Sequence, residues 1–178
     1  MPRVVTAVIN PVNLLSLSSA KRACDEGLIE PVLVGPQARL EAVAAEAGLD
    51  LADVAIVDAP HSHAAAQQAV ALAATGEVEA LMKGSLHTDE LMEPMVDRAT
   101  GLRTERRMSH IFALDVPHYA KPLFITDAAI NIFPDLDTKA DIVQNAIDLA
   151  LSLGMEPRVG VLSAVETVTP AIQSSLDA

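Results

Sequence analysis

The amino-acid sequence predicts an α/β fold with a mainly parallel, doubly wound β-sheet. Over residues 1–98, short β-branched segments alternate with longer helical patterns, and the connections between them are short. Hydrophobic residues make up 51% of the chain and aromatic residues only 2%, so alanine, valine, leucine and isoleucine must build the core. Such a composition is typical of helices packed on a parallel sheet.

Four strand–helix pairs are predicted in this first part of the chain. Asn13 can cap the first helix and Gly27 can end it, because these residue types favour those two positions. Glycines also end the second and third helices, and Thr88 caps a fourth helix with an acidic first turn. The predicted strands are residues 4–9, 31–35, 54–58 and 80–82, and the predicted helices are residues 14–26, 36–47, 63–75 and 88–98.

The alternation changes near residue 110, where a second unit is predicted to begin. Residues 110–115 and 123–126 read as two strands with no helix between them. A helix capped by Asp137 or Thr138, a strand and a last helix opened by Pro170 complete the prediction. The predicted remaining elements are a helix to residue 153 and a strand at residues 159–162, and the predicted domains are residues 1–110 and 111–178.

Charge and cysteine content exclude several functional classes. The net charge of -12 argues against nucleic-acid binding and against association with an anionic membrane. Half of the basic residues nevertheless lie within residues 81–121, 6 of 12, which suggests a small anionic ligand. Cys24 is the only cysteine, so no intrachain disulfide can form and a reducing cytoplasm is expected.

Polar residues at the carboxyl ends of the predicted strands mark where a ligand should bind. Asn10, Asp58 and Lys83 end three of these strands and should face one crevice. Gly84 and Ser85 follow Lys83, and a glycine turn before a helix lets backbone N–H groups approach an anion. The alternative is an ordinary strand-to-helix turn, since the segment matches neither common phosphate-loop fingerprint.

Three arginines form the stronger signal for an anion. Arg103, Arg106 and Arg107 lie within five residues, and guanidinium forks match phosphate oxygens in pairs. The alternative is a solvated basic loop. His87 and His110 flank the segment and are candidate donors to a phosphate or acyl oxygen.

No metal site is predicted from the sequence. His61 and His63 are close in sequence, but no acidic or cysteine partner nearby completes a ligand set, so we interpret them as a helix start. Asp127 directly follows a predicted strand, a position typical of functional residues, and Asn131 lies in the same loop.

Four ordered segments also resemble a known family: LMKGSLHTDELM, GLRTERRMSHIF, ITDAAINIFPDLDTKADIVQNAIDLALSLG and VGVLSAVETVTPAIQSSLDA. They resemble the phosphate acetyl/butyryltransferases, in particular the butyryltransferase branch and the related domain fused to enoyl-CoA hydratases. The similarity covers nearly the whole chain.

The resemblance implies a reversible reaction in which acyl-CoA and phosphate give acyl phosphate and CoA. It implies no tightly bound cofactor, with CoA as a substrate, and usually a homodimer. It also implies a three-layer α/β/α fold related to isocitrate and isopropylmalate dehydrogenases, with two domains and the active site in the cleft. The implied catalytic residues are His87, Arg103 and Arg107, and the implied substrate-binding residues are Lys83, Gly84, Ser85, Thr88, Arg106, Ser109, His110, Asp127 and Asn131.

Members of the family continue beyond the position that matches Ala178. The resemblance assigns phosphate binding and thiol activation to a later Ser-Arg motif and a following Asp. We therefore expect this chain alone to aggregate or self-associate, because a parallel sheet without its late strands exposes apolar edges.

Two other functions remain open from the sequence. One is a relative of the decarboxylating dehydrogenases, for which the arginines would hold a carboxylate, although no aspartate cluster for a divalent metal is present. The other is a non-catalytic module that binds CoA or phosphate.

Overall fold

The computed structural model describes residues 2–178, which divide into two compact units, a first that ends at Arg103 and a second from Thr104 to Ala178. Within the described residues there are six strands and six helices. The first unit contains β1 (Val4–Ile9), α1 (Leu14–Asp25), β2 (Ile29–Gly35), α2 (Gln37–Ala47), β3 (Ala55–Asp58), α3 (Ser62–Thr75), β4 (Ala80–Lys83) and α4 (Thr88–Met95). The second unit contains β5 (Ile111–Leu114), β6 (Leu123–Thr126), α5 (Leu136–Ser152) and α6 (Gln173–Asp177).

The first unit is built on a four-stranded parallel sheet with strand order β3-β2-β1-β4. Ile9 at the end of β1 pairs with Val34 on one side and with Lys83 on the other. The carboxyl ends of the strands therefore lie along one edge of the sheet. The predicted α/β fold with a mainly parallel sheet is confirmed.

Strand β1 divides the core of the first unit into two layers. Ala7 and Ile9 are fully buried against the alanine-rich helix α3, whereas Val8 packs with Leu17 of α1 and Leu40 of α2. Alternate residues of a strand point to opposite faces, so helices cover both faces of the sheet. This arrangement explains how a chain almost without aromatic residues still closes a core.

The second unit contains an antiparallel pair of strands beside helix α5. Phe112 on β5 lies opposite Ile125 on β6. Helix α5 begins earlier than predicted, because Asp135 and not Asp137 caps it: its carboxylate accepts a hydrogen bond of 2.8 Å from the Thr138 N–H. Short helix α6 is tied to α5 by an ion pair between Lys139 and Asp177.

Other predicted elements differ from the structure at their ends. Helix α4 stops at Met95 and not at residue 98, because the Asp97 carboxylate accepts the N–H groups of the next turn. His87 precedes this helix, so Thr88 is its first residue and not its cap. Pro170 lies in a turn before the last helix.

The predicted strand at residues 159–162 is wrong. These residues have no regular structure, and the side chain of Leu162 is 91% exposed. Within residues 2–178 no neighbouring strand pairs with this segment. A β-strand requires such a partner for its backbone hydrogen bonds, so apolar composition alone does not produce one.

We expect amide hydrogens of residues 122–178 to exchange faster than those of residues 4–82. The second unit has only a two-stranded ribbon and several exposed apolar side chains, including Phe133 at 96% exposure. Such a ribbon is marginally stable, whereas the buried parallel sheet opens only on global unfolding. Hydrogen exchange measured by mass spectrometry tests this prediction, and equal protection of both ranges would contradict it. The predicted self-association stays a prediction.

Among residues 2–178, none of the helices combines the length and apolar character that a membrane span requires. Within the same residues, no group of three or more metal-ligating side chains is close enough to hold an ion.

Candidate functional site

The turn between β4 and α4 lies at the carboxyl edge of the sheet and is fixed by the end of β1. The Gly84 N–H donates to the Ile9 carbonyl and the Ser85 N–H donates to the Asn10 carbonyl, each over 2.9 Å. The buried Asn10 side chain in turn donates to the Ser85 carbonyl over 2.7 Å. Both backbone N–H groups already have partners. Neither group is therefore free to donate a hydrogen bond to an anion, contrary to the expectation from the sequence.

We expect Gly84→Ala to destabilise the first unit by about 3 kcal/mol, because overpacking against backbone forces the chain to shift. A Cβ at this position would overlap the Ile9 carbonyl oxygen and lie 3.0 Å from two backbone atoms of Pro11. Gly160→Ala is the matched control, since a Cβ there meets nothing within 4 Å. Urea unfolding of both variants measures the difference, and equal midpoints would contradict the assigned packing.

An open cavity of about 490 Å³ lies beside this turn and has the Glu90 carboxylate in its wall. That carboxylate accepts hydrogen bonds of 2.6 Å from the Ser62 hydroxyl and from the His87 N–H, and it lies 3.0 Å from His63 Nδ1. The bond from Ser62, and then that from His87, lowers the pKa of Glu90. The cavity is lined by Ser62, Gly84, Ser85, Leu86, His87 and Glu90.

In the sequence, Glu90 is visible only as part of the acidic first turn of the fourth predicted helix. Its position three residues after His87 is the signal that could have identified it. A glutamate at that position commonly turns back to accept the N–H of the residue before the helix. The structure contains this bond.

Of the polar residues that follow or end the strands, Asp58 and Asn10 make hydrogen bonds that stabilise the fold. Asp58 ends β3, and its carboxylate accepts the Gln37 N–H at the start of α2 over 2.8 Å. Asn10 has a left-handed backbone with a φ of 51° and holds the turn at Ser85. Lys83 is exposed at the end of β4.

Arg106 and Arg107, both in the second unit, have different surroundings. Arg106 donates to Asp148 over 2.5 Å and to the Asn145 side chain over 3.3 Å. Arg107 is exposed, and no side chain of residues 2–178 accepts a hydrogen bond from its guanidinium. Arg103, at the end of the first unit, is also exposed and has no hydrogen-bonded partner within that range.

Helix α5 presents a polar face to the arginine segment, which we define as residues 106–110. Asp141 accepts the Arg107 N–H over 2.9 Å, and Asn145 donates to the Arg107 carbonyl over 2.8 Å. Together with Asp148 they are spaced at i, i+4 and i+7, which places them on one side of a helix. None of these three residues was predicted from the sequence. Their spacing was visible, but it also describes an ordinary solvated helix face.

Asp127 is the centre of a second set of contacts around the arginine segment. Its carboxylate accepts hydrogen bonds from the His110 N–H at 2.8 Å and from the Asn131 N–H and side chain at 2.7 and 2.6 Å. Asn131 also donates to the Met108 carbonyl over 2.9 Å. Burial raises the pKa of Asp127, but the hydrogen bonds from His110 and Asn131 outweigh that effect, so its pKa lies below the ordinary value.

The lowered pKa of Asp127 predicts an acid-sensitive second unit. Because the folded-state pKa lies below the unfolded value of about 3.9, the stabilisation is complete above that pH and is lost as pH falls through the folded pKa. We expect Asp127→Asn to have a smaller loss of stability between pH 6 and pH 3 than the unsubstituted chain. Urea unfolding across this range measures both slopes. Identical slopes would show that Asp127 does not titrate with folding.

The predicted site residues fall into two groups in the structure, one in each unit. The first unit holds Arg103 and the residues of the β4–α4 turn: Lys83, Gly84, Ser85, His87 and Thr88. The second unit brings together Arg106, Arg107, Ser109, His110, Asp127 and Asn131.

Comparison with known proteins places the chain in one family. A sequence model described as phosphate acetyl/butaryl transferase matches residues 61–178, more than half of the chain. The phosphate acetyltransferase of Rhizobium meliloti is 60% identical over 98% of this chain and 55% of its own length. The phosphate butyryltransferase of Clostridium acetobutylicum is 34% identical over 100% of this chain and 59% of its own length. This chain thus spans little more than half the length of these relatives.

Solved structures agree with the fold. A branched-chain phosphotransacylase from Enterococcus faecalis superimposes with a TM-score of 0.79 at 28% identity, over 98% of this chain and 61% of that one. A phosphotransacetylase from Streptococcus pyogenes gives a TM-score of 0.78 over 96% of this chain and 62% of its own, at an identity of 18% that supports the fold alone. These findings give no support to the dehydrogenase or non-catalytic alternatives. The chain belongs to the phosphate acetyl/butyryltransferase family.

Proposed function

We propose that the protein transfers an acetyl or butyryl group reversibly between CoA and inorganic phosphate. The observation that carries this proposal is the family match, together with 60% identity over 98% of the chain to a phosphate acetyltransferase. Since the chain spans only part of its relatives, the proposal concerns the protein expressed from its complete reading frame.

The proposed reaction is an acyl substitution. A phosphate oxygen attacks the thioester carbonyl carbon, the C–O bond forms, and the C–S bond breaks. Sulfur leaves with the bonding electron pair as CoA thiolate, which takes up the proton that phosphate loses. In the reverse direction the thiol, with a pKa near the ~8.5 of cysteine, must lose its proton before it attacks the acyl phosphate. Catalysis then needs positioning of the two substrates and stabilisation of the oxyanion.

The side chains support a division of roles among the predicted site residues. Arg103 and Arg107 are exposed cations without hydrogen-bonded partners in residues 2–178, so each is available to hold phosphate. Arg106 is neutralised by Asp148 and contributes to the segment's structure. His87 and His110 are proposed donors to the acyl or phosphate oxygens.

The cavity of the first unit is better suited to the uncharged parts of an acyl-CoA than to phosphate. Glu90 is held in its ionised form there, and a carboxylate repels an anion. The two nearest backbone N–H groups, at Gly84 and Ser85, are bonded within the protein. The Ser85 hydroxyl and Lys83 remain as donors, and Thr88, Ser109, Asp127 and Asn131 complete the proposed binding residues.

We also propose an architecture that is more specific than the observed α/β fold. It assigns residues 1–110 and 111–178 to two domains that form a cleft and are related to those of isocitrate and isopropylmalate dehydrogenases. The proposal also includes a homodimer, no tightly bound cofactor, and a cytoplasmic location, which the single cysteine supports.

Thermal shift and turnover together test the proposed activity. We expect CoA and phosphate each to raise the melting temperature of the complete protein, and acetyl phosphate with CoA to give acetyl-CoA. Binding without turnover would favour the non-catalytic module and contradict the proposal. Reduction of NAD in the presence of magnesium, with no acyl transfer, would favour a dehydrogenase instead.

A further inference from the structure

Asn145 makes more hydrogen bonds to the arginine segment than any other side chain of α5 in residues 2–178. Its Nδ2 donates to the Arg107 carbonyl at 2.8 Å and to the Ser109 hydroxyl at 2.9 Å, and its Oδ1 accepts from Arg106 at 3.3 Å. Two acceptors lie on one side of the amide and a donor on the other, so only one orientation of the amide satisfies all three contacts. Asn145 therefore links residues 106, 107 and 109 through one rigid group.

The backbone around Arg107 is held on both sides. Its N–H donates to Asp141 at 2.9 Å, while its carbonyl accepts from Asn145. The next carbonyl, that of Met108, accepts from Asn131 at 2.9 Å. These contacts fix the direction in which the Arg107 side chain leaves the backbone.

A fixed backbone with an unpartnered guanidinium is the arrangement expected of a preorganised anion ligand. Asp148 neutralises Arg106, so the free positive charge of the segment resides on Arg107. A competing negative charge belongs to Asp135. The hydrogen bonds from Thr138 lower the pKa of Asp135 first, and the charge of Arg107 lowers it further.

We infer that Asn145 is a positioning residue, which holds the arginine segment so that Arg107 presents its guanidinium to the phosphate group of a substrate. The inference rests on the proposed function. It adds a residue outside the predicted site and assigns different roles to two adjacent arginines.

Isothermal titration calorimetry of the complete protein with inorganic phosphate tests this inference. We expect Arg107→Ala and Asn145→Asp each to weaken inorganic phosphate binding about tenfold or more, the range of one charge-assisted hydrogen bond. Asn145→Asp keeps the size and the acceptor but loses both donors. Gln67→Ala is the matched control, because it removes an exposed helix amide that has no hydrogen bond in residues 2–178.

A double variant separates positioning from a general structural role. If Asn145 acts through Arg107, the double variant Arg107→Ala, Asn145→Asp binds phosphate no more weakly than Arg107→Ala alone. Multiplied effects in the double variant, or unchanged binding by Asn145→Asp, would overturn the inference. Asp135→Asn gives an independent check, since asparagine still caps α5 while the competing charge is removed, so phosphate should bind more tightly. Weaker or unchanged binding by this variant would overturn the role of Arg107.

Turnover measured in the same preparations distinguishes the two proposals. If the unsubstituted protein transfers acyl groups and Asn145→Asp has the same activity, the positioning role is overturned and the proposed function is left intact. Absence of acyl transfer from the unsubstituted protein would contradict the proposed function itself.

Discussion

Replacing Arg103 by alanine should raise the KM for phosphate about 10- to 100-fold, because a charge-assisted hydrogen bond to a bound anion contributes about 1.5–3 kcal/mol. The side chain is exposed and has no hydrogen-bonded partner in residues 2–178, so its removal should leave the stability of the first unit nearly unchanged. Steady-state acyl transfer in the complete protein, with phosphate varied at saturating acyl-CoA, measures the effect.

Two other arginines serve as controls for this substitution. Arg98→Ala removes another exposed cation of the same unit and should leave the KM unchanged. Arg106→Ala should act on stability, since it breaks the contacts with Asp148 and Asn145. An unchanged phosphate KM in Arg103→Ala would remove Arg103 from the site.

Asp127→Ala should destabilise the second unit by about 3 kcal/mol, since it leaves several N–H donors without an acceptor. The carboxylate accepts hydrogen bonds from His110 and Asn131 and, at 3.4 Å, from the N–H groups of Ala129 and Ile130. Urea unfolding measured with probes in the second unit reports the change.

Asp115→Ala is the matched control for Asp127. Asp115 is an exposed aspartate of the same unit with no hydrogen bond to its carboxylate in residues 2–178, and its removal should cost less than about 0.5 kcal/mol. A loss of stability in Asp127→Ala no greater than in this control would mean that the turn at residues 127–131 is held by other contacts.

The fold of the first unit could be predicted because its local signals agree with one another. Asn13 caps α1 through its side chain, and left-handed glycines at positions 48 and 76 end α2 and α3 as expected. The β-branched runs form the buried parallel strands. Where two local signals compete, the prediction is less accurate, as at Asp97, whose carboxylate accepts the N–H groups of Ala99 and Thr100 and ends α4 early.

The candidate site was predictable in its residue types but not in their partners. Spacing identified the arginines, yet it could not show that Arg106 pairs with Asp148 across 42 positions of sequence while Arg107 has a free guanidinium. The glycine turn at Gly84 was located correctly, but its N–H groups are used by strand β1, a contact between segments far apart in sequence. The segment at residues 159–162 shows the same limit: its composition is that of a strand, but a strand depends on a neighbour.

The most direct test of the proposed reaction is to follow acetyl-CoA and phosphate together in the complete protein as phosphate concentration is raised. We predict that thioester loss saturates with phosphate and that acetyl phosphate and free CoA appear in equal amounts, because one C–O bond forms for each C–S bond broken. Thioester loss that is independent of phosphate and yields free acetate, or no loss at all, would contradict it.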